Sequence, residues 1–399
     1  MAGRLTLDFL KTETSAGLAP VGAACIALIL ANSPLAADYF ALLAKPIPVQ
    51  FGAFTQTSSV EAWVKDGLMA AFFLIVGLEI KFEVLRGELS SPRRLATPIL
   101  AAVGGMVVPA LIYLAFNLGA GGAPRGWPTP TPTDIAFALA ALSIAAPAIP
   151  ASLRLFLLTL AIADDFGAVA LIGILYTAKI HWAALAGAAA VLALLSSLSR
   201  VRRVPLLLYA VGFVLVWGCC LKSGVNTSVA GVACALTVPV GARRAGGESM
   251  LTLFMDALHP WVAYGVLPLF AFSAAGFRLS GLGAQALLSP VTVGIALALL
   301  LGKPIGVFGV TALAAITRLG RRPAGSTWLE LLGVAILTGV GFTMSLFLGG
   351  LAFGAGAALA QREVRLGVIA GSLASALVGA ALLAWTARRR DAAESPPAL

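Results

Sequence analysis

The run Leu160-Ala161-Ile162-Ala163-Asp164-Asp165-Phe166-Gly167-Ala168-Val169 sets two acidic side chains next to each other in an otherwise apolar stretch. No other charged residue lies within nine positions on either side. A segment this apolar and this long reads as a membrane-spanning helix. A charged carboxylate near the bilayer centre costs about 2.5–3.5 kcal/mol on insertion scales, and such residues mark functional sites by default. The doublet therefore points to the handling of cations or protons.

Working outward, the composition agrees with a membrane setting. The chain has 399 residues, of which 60% are hydrophobic and 11% charged, and a mean hydropathy of +0.98. Soluble domains carry about 25% charged residues, so a soluble enzyme or binding module is excluded by lack of polar surface. The 43 glycines suit helices that approach closely or break inside a bilayer. A net charge of +10 in a soluble chain would suggest nucleic acid. Here the basic residues read as topogenic loop signals, and no nucleic-acid partner is expected. Cys25, Cys219, Cys220 and Cys234 all fall in apolar stretches and read as small buried hydrophobes. With only His181 and His259 as histidines, neither a structural metal nor a cofactor is expected. Arg4, Lys11 and the apolar run Ala16 to Ala31 have some signal-peptide character but read as an uncleaved first span.

Windows of about 20 apolar residues cross a bilayer as helices. Twelve are expected, centred near residues 22, 73, 106, 138, 164, 190, 212, 231, 266, 302, 340 and 375. With the N-terminus inside, eighteen basic residues fall in inner loops and eight in outer loops; Lys303 lies mid-span, which accounts for all 27. This asymmetry follows the positive-inside rule and places both termini in the cytoplasm. Between the first two spans, Pro46 to Ser59 carries two short alternating runs around Gly52-Ala53, which fit either an extramembrane β-hairpin or an irregular loop. A lone hairpin is marginal by itself, and pairing with a second subunit is one way to stabilise it. The tail 391–399 is polar, contains proline and is expected to be disordered.

Helix rise sets the depth of the buried charges. Asp164 lies ten residues beyond Arg154, about 15 Å deeper and near the midplane. Lys303 lies fifteen residues before Arg318, roughly 22 Å from the inner surface. A lysine and an aspartate at similar depth should pair, since each would otherwise lose its charge. Adjacent helical residues point about 100° apart, so one aspartate can hold Lys303 while the other faces an aqueous path. Asp134 is a third mid-span acid, in Pro130-Thr131-Pro132-Thr133-Asp134-Ile135-Ala136-Phe137. The prolines disfavour a continuous helix there, and Thr338-Gly339-Val340-Gly341-Phe342-Thr343-Met344 offers a second break. Two interrupted spans far apart in a chain are the best sequence pointer to a transporter's substrate site.

Gly77-Leu78-Glu79-Ile80-Lys81, Thr133-Asp134-Ile135-Ala136-Phe137-Ala138-Leu139, Ala161-Ile162-Ala163-Asp164-Asp165, Leu258-His259-Pro260-Trp261, Gly302-Lys303-Pro304-Ile305-Gly306 and Gly341-Phe342-Thr343-Met344-Ser345 resemble the bacterial NhaA-type sodium/proton antiporters. That family itself exemplifies inverted-repeat transporters. The motifs run in the family's order from about residue 10 to residue 385. The resemblance implies an all-α polytopic fold with twelve transmembrane helices. Spans three to five would repeat, inverted, as spans ten to twelve, with crossed discontinuous helices in spans 4 and 11. It implies one transporter domain over residues 1–390 in the inner membrane, a homodimer contact through residues 46–59, and a cation site at Asp165 and Asp164. Thr133 would help line that site, while Asp134 and Lys303 would balance partial charges where the broken helices meet. The family's pH-sensing region is retained at Glu79 and Glu83, and Asp256 and His259 are further candidates. It departs at Phe82, Met255 and Asn226, where the family pattern has an arginine, an acidic residue and a histidine.

The expected activity is sodium or lithium export in exchange for protons, by alternating access and with net charge movement. It would serve pH and sodium homeostasis. Sodium prefers oxygen ligands, which carboxylates supply with charge. Burial penalises the charged carboxylates, so a proton and a cation compete to neutralise them. An intramembrane aspartyl protease is a competing reading, but no Gly-X-Gly-Asp motif surrounds any aspartate. A passive cation channel and a paralogue moving another solute are separated from the antiporter by sodium-dependent pH change in vesicles.

Overall fold

A computed structural model describes residues 2–51, 54–86, 92–177, 180–199, 205–241, 249–280, 283–354 and 356–394. The chain opens with α1 (Ala2–Ala31) and α2 (Ala36–Ala44), then the strands β1 (Pro46–Phe51) and β2 (Phe54–Ser59). Next come α3 (Val60–Trp63), a π-helical turn (Val64–Leu68), α4 (Met69–Arg86) and α5 (Pro92–Asn117). A 3-10 turn (Pro124–Gly126) precedes α6 (Ile135–Ala145), followed by α7 (Ala151–Leu175), α8 (Trp182–Leu198), α9 (Leu206–Ser223) and α10 (Thr227–Thr237). Then α11 (Met250–Trp261) passes through a π-turn (Val262–Val266) into α12 (Leu267–Ala275). After α13 (Ala284–Leu287), α14 (Pro290–Leu297) runs through a π-turn (Ala298–Gly302) into α15 (Lys303–Ile316). The chain closes with α16 (Trp328–Leu337), α17 (Phe342–Phe353) and α18 (Ala358–Glu394).

Among the described residues, six helices are long and apolar enough to cross a membrane, and two bent pairs raise this to eight. The pairs are Ser15–Ala31 with Ala36–Ala44, bent by 115°, and Trp328–Leu337 with Phe342–Phe353, bent by 44°. The windows expected near residues 138, 190 and 231 fall on helices of 11, 17 and 11 residues. Short helices can still occupy membrane depth where neighbouring protein covers their ends. The hairpin pairs β1 with β2 antiparallel, with Val49 opposite Gln56 and Pro46 opposite Ser59.

The breaks have local causes. Ala146, just before Pro147, leaves helical geometry at φ −145°, ψ 70° and ends α6, as expected of a residue preceding proline. On the other side of α6, Pro124, Pro128, Pro130 and Pro132 withhold backbone donors. The expected first half-helix of that span is therefore a single 3-10 turn followed by turns and extended chain. At the second break both halves are helical, and Gly339 and Gly341 lie between them. A Cβ on Gly339 would run into the Leu299 carbonyl. Two of the π-turns directly precede Leu267-Pro268 and Lys303-Pro304. A proline ring clashes with the carbonyl four residues back. Those carbonyls belong to Tyr264 and Leu300, inside the widened turns.

The chain divides into two compact units. One comprises residues 1–18, 91–167 and 281–399, with a core that includes Leu142, Leu153, Leu157, Leu160, Leu331, Val334, Leu337 and Leu383. In it α5 packs on α15, where a Cβ on Gly306 would strike the Gly104 carbonyl. The other comprises residues 19–90 and 168–280, built around Leu74, Leu78, Val216, Leu251 and Phe254. In it α4 packs on α10, again through glycines, Gly77 and Gly231. α18 continues to Glu394, since Arg388 to Glu394 holds no glycine or proline to end it. Residues 395–399 of the tail lie outside the described residues, as do the topogenic Lys179, Arg200, Arg202, Arg203, Arg243 and Arg244.

Candidate functional site

Asp164 and Asp165 sit on α7, and Lys303 begins α15 directly after its π-turn. Lys303 Nζ lies 2.5 Å from Asp164 Oδ2, and both side chains are fully buried. The ammonium also donates to Thr133 Oγ1 at 2.9 Å. The Thr133 hydroxyl in turn lies 2.7 Å from Asp164 Oδ2 and 2.9 Å from the Thr338 carbonyl oxygen. Asp164 Oδ1 accepts no hydrogen bond from the described residues. Asp165 is 1% exposed, so both carboxylates are closed to solvent. Gly105 on α5 lets α15 approach closely: a Cβ there would lie 2.9 Å from the Val307 side chain, and at ordinary contact, 3.8 Å, from Lys303 Nζ.

Asp134 is the N-cap of α6, accepting from the Phe137 amide through Oδ1 at 3.2 Å. Its Oδ2 accepts from the Thr343 amide at 3.1 Å and the Thr343 hydroxyl at 2.5 Å, at the start of α17. One carboxylate thus sits on two helix N-termini, whose partial positive charges it offsets. The backbone completes the crossing, with the Asp134 amide donating to the Val340 carbonyl at 2.7 Å. The structure therefore gathers Asp164, Thr133 and Lys303 into one hydrogen-bonded cluster. Asp134 belongs to the crossing beside it. Lys303 donates to Asp164 and Thr133. Thr343 and the Thr338 carbonyl were assigned no role from sequence. A threonine just after a glycine break, opening an apolar helix, was the available signal for Thr343.

The pH-sensing candidates all lie in the second unit. Glu79 and Glu83 are partly buried on α4, while Asp256 and His259 are exposed on α11, which packs against α4. The three departures have structural roles of their own. Phe82 and Met255 pack against the same hydrophobic core, and Asn226 caps α10, accepting from the Ser228 amide at 3.0 Å. Lys81 donates to the Leu236 and Val238 carbonyls at 2.5 and 2.6 Å. It neutralises the C-terminal end of α10, where cations are favoured.

Comparison with known proteins adds an independent finding. Residues 7–383 match the family described as Na+/H+ antiporter 1. A Rhodospirillum rubrum protein named Na(+)/H(+) antiporter NhaA is 50% identical over 394 residues, covering 97% of this chain and 98% of that protein. Proteins of the same name from Pseudomonas putida and Pseudomonas fluorescens are 48% and 47% identical. They cover 96% and 97% of this chain, and 97% and 98% of their own lengths.

Proposed function

This chain belongs to the Na+/H+ antiporter family, secondary transporters rather than enzymes, and on that premise we propose that Asp164 and Asp165 form the site where sodium and protons compete. The protein is a multi-pass inner-membrane exchanger of sodium for protons. The observation that carries the site reading is the fully buried Lys303–Asp164 pair with a second buried carboxylate next to it. Two aspartates and one ammonium have a formal charge of −1, which one Na+ or one H+ cancels. A low-dielectric interior strongly favours the neutral total.

In this reading Na+ takes carboxylate oxygens from Asp165 and Asp164, with Thr133 lining the site. Drawing Asp164 onto the ion leaves Lys303 as an isolated buried ammonium, a state that favours release of its proton. More than one proton then moves per sodium ion, and exchange is electrogenic. Switching between inward and outward access only when the site is loaded, with sodium or with protons, makes the exchange obligatory. Asp134 keeps the two half-helix N-termini together throughout. We assign the chain twelve spans, with spans three to five repeated inverted as ten to twelve and the crossing at spans 4 and 11. We place both termini in the cytoplasm and treat residues 1–390 as one transporter domain. Lithium is a second substrate, and the 46–59 hairpin joins two copies. The loop-charge asymmetry, the two interrupted spans and the hairpin support these assignments.

Everted vesicles compared with sodium, lithium and potassium across pH provide the test. The expected result is proton release on adding sodium or lithium but not potassium, lost in Asp165→Asn. Normal exchange by Asp165→Asn would reject this carboxylate as the site.

A further inference from the structure

Glu330 and Arg390 lie away from the ion site, at the outer end of a half-helix that reaches it. Glu330 accepts from the Thr327 amide through Oε2 at 2.7 Å, and the Thr327 hydroxyl accepts from the Glu330 amide at 3.2 Å. This reciprocal cap starts α16. The other oxygen, Oε1, faces Arg390 Nη1 at 3.3 Å, with Glu330 5% and Arg390 31% exposed. Arg390 Nη2 also donates to the Gly325 carbonyl at 2.8 Å. Gly325 has φ +72°, a left-handed turn suited to glycine. One guanidinium near the end of α18 therefore grips both the first turn of α16 and the loop leading into it. Ser152 pins the same loop to α7, its hydroxyl 2.5 Å from the Ala324 carbonyl.

The far end of α16 is held too. Its ten residues span about 15 Å, and Thr338, just beyond them, presents its carbonyl to Thr133. Between the α6–α7 turn (Ala146, Ile149), Glu330 and Arg390 lies a cavity of about 10 Å³. This is room for one water at most, so the latch has little slack. A short rod fixed by polar contacts at both ends transmits an axial shift from one end to the other.

We propose that the Glu330–Arg390 pair is a positioning element for transport. It holds α16 at the height where the Thr338 carbonyl meets Thr133, and so sets the sodium affinity of the Asp164–Asp165 site. The inference rests on that site being the ion site. A partly exposed ion pair adds little to folding stability, so its effect should appear in affinity.

Sodium-driven proton release is measured in everted vesicles for wild type, Glu330→Gln, Arg390→Gln and the double variant. Glutamine at 330 keeps the capping oxygen and removes the charge. The expected outcome is a rise of about fivefold or more in the sodium KM, with maximal rate within about a factor of two. The double variant should be no worse than either single one, because the pair acts as a unit. Arg390→Lys, which keeps the charge but lacks the fork, should rescue only part of the change. A sodium KM unchanged in Glu330→Gln and Arg390→Gln, with only a lower unfolding temperature, overturns the proposal. If Arg390→Gln does not reach the membrane, Glu330→Gln decides alone. Asp165→Asn runs in parallel: its full activity would reject the ion site itself. A dead Asp165→Asn with unmoved KM in the other variants would reject only the positioning role.

Discussion

Thr133 has one hydroxyl proton and two oxygen acceptors, Asp164 Oδ2 and the Thr338 carbonyl, while it receives a hydrogen bond from Lys303. It serves one acceptor at a time, and Asp164 Oδ2 keeps its bond from Lys303 in either case. The cluster is sensitive to the loss of any member. Lys303→Ala leaves Asp164 without its cation, and breaking a buried pair costs about 3–5 kcal/mol. A lower unfolding temperature in detergent is expected, with the deficit shrinking at acid pH as Asp164 takes up a proton instead. An undiminished unfolding temperature would count against the ion pair. Thr343 is a subtler case. Its hydroxyl bonds the Asp134 carboxylate, and hydrogen bonds to charged groups contribute about 1.5–3 kcal/mol. Thr343→Val should lose stability in that range, measured by thermal unfolding, and Thr343→Ser should recover most of it. Equal values for Val and Ser would show that the hydroxyl contributes nothing.

At the level of elements, sequence and structure agree where chemistry is local. Pro132 and Pro147 bracket α6: a ring nitrogen cannot donate, and Ala146, which precedes Pro147, leaves helical geometry. Asp134 was read as a mid-span acid beside a proline break, and an acid after a proline run and before an apolar helix also carries an N-cap signal that was legible there. Its second duty was not, since Thr343 lies 209 positions away and no periodicity links them. Depth suggested that Lys303 pairs with one of the two aspartates, but could not choose between neighbours only about 1.5 Å apart along the helix; the structure sets Asp164 against it. Span lengths were less so, because windows of apolar residues run across breaks that shorten the helices within them. The hairpin was read from alternation around Gly52-Ala53, and its strands pair in the register from Pro46–Ser59 to Phe51–Phe54. Among the described residues these two strands form a two-stranded sheet, which is marginal in water by itself. Replacing residues 46–59 by a flexible linker should therefore convert a dimer to a monomer by light scattering. A dimer that survives this change would place the contact elsewhere.

Across the whole molecule, the proposed competition for one site would make sodium affinity a function of pH. Where a proton occupies the cluster, the apparent sodium KM should rise about tenfold for each unit of acidification and each competing proton. Transport rates measured over a grid of sodium and pH would check this; a sodium KM independent of pH would mean the ions use separate sites. Phe82, Met255 and Asn226 serve packing and capping in this chain, so its pH activation curve should differ in position from those of relatives with charged groups there. The crossing at Asp134 has a further consequence. A single carboxyl group tethers the starts of α6 and α17, so the two stubs form one hinge pin rather than two independent gates. A stroke that carries one must drag the other, which leaves such a machine no easy way to leak through a half-turned position.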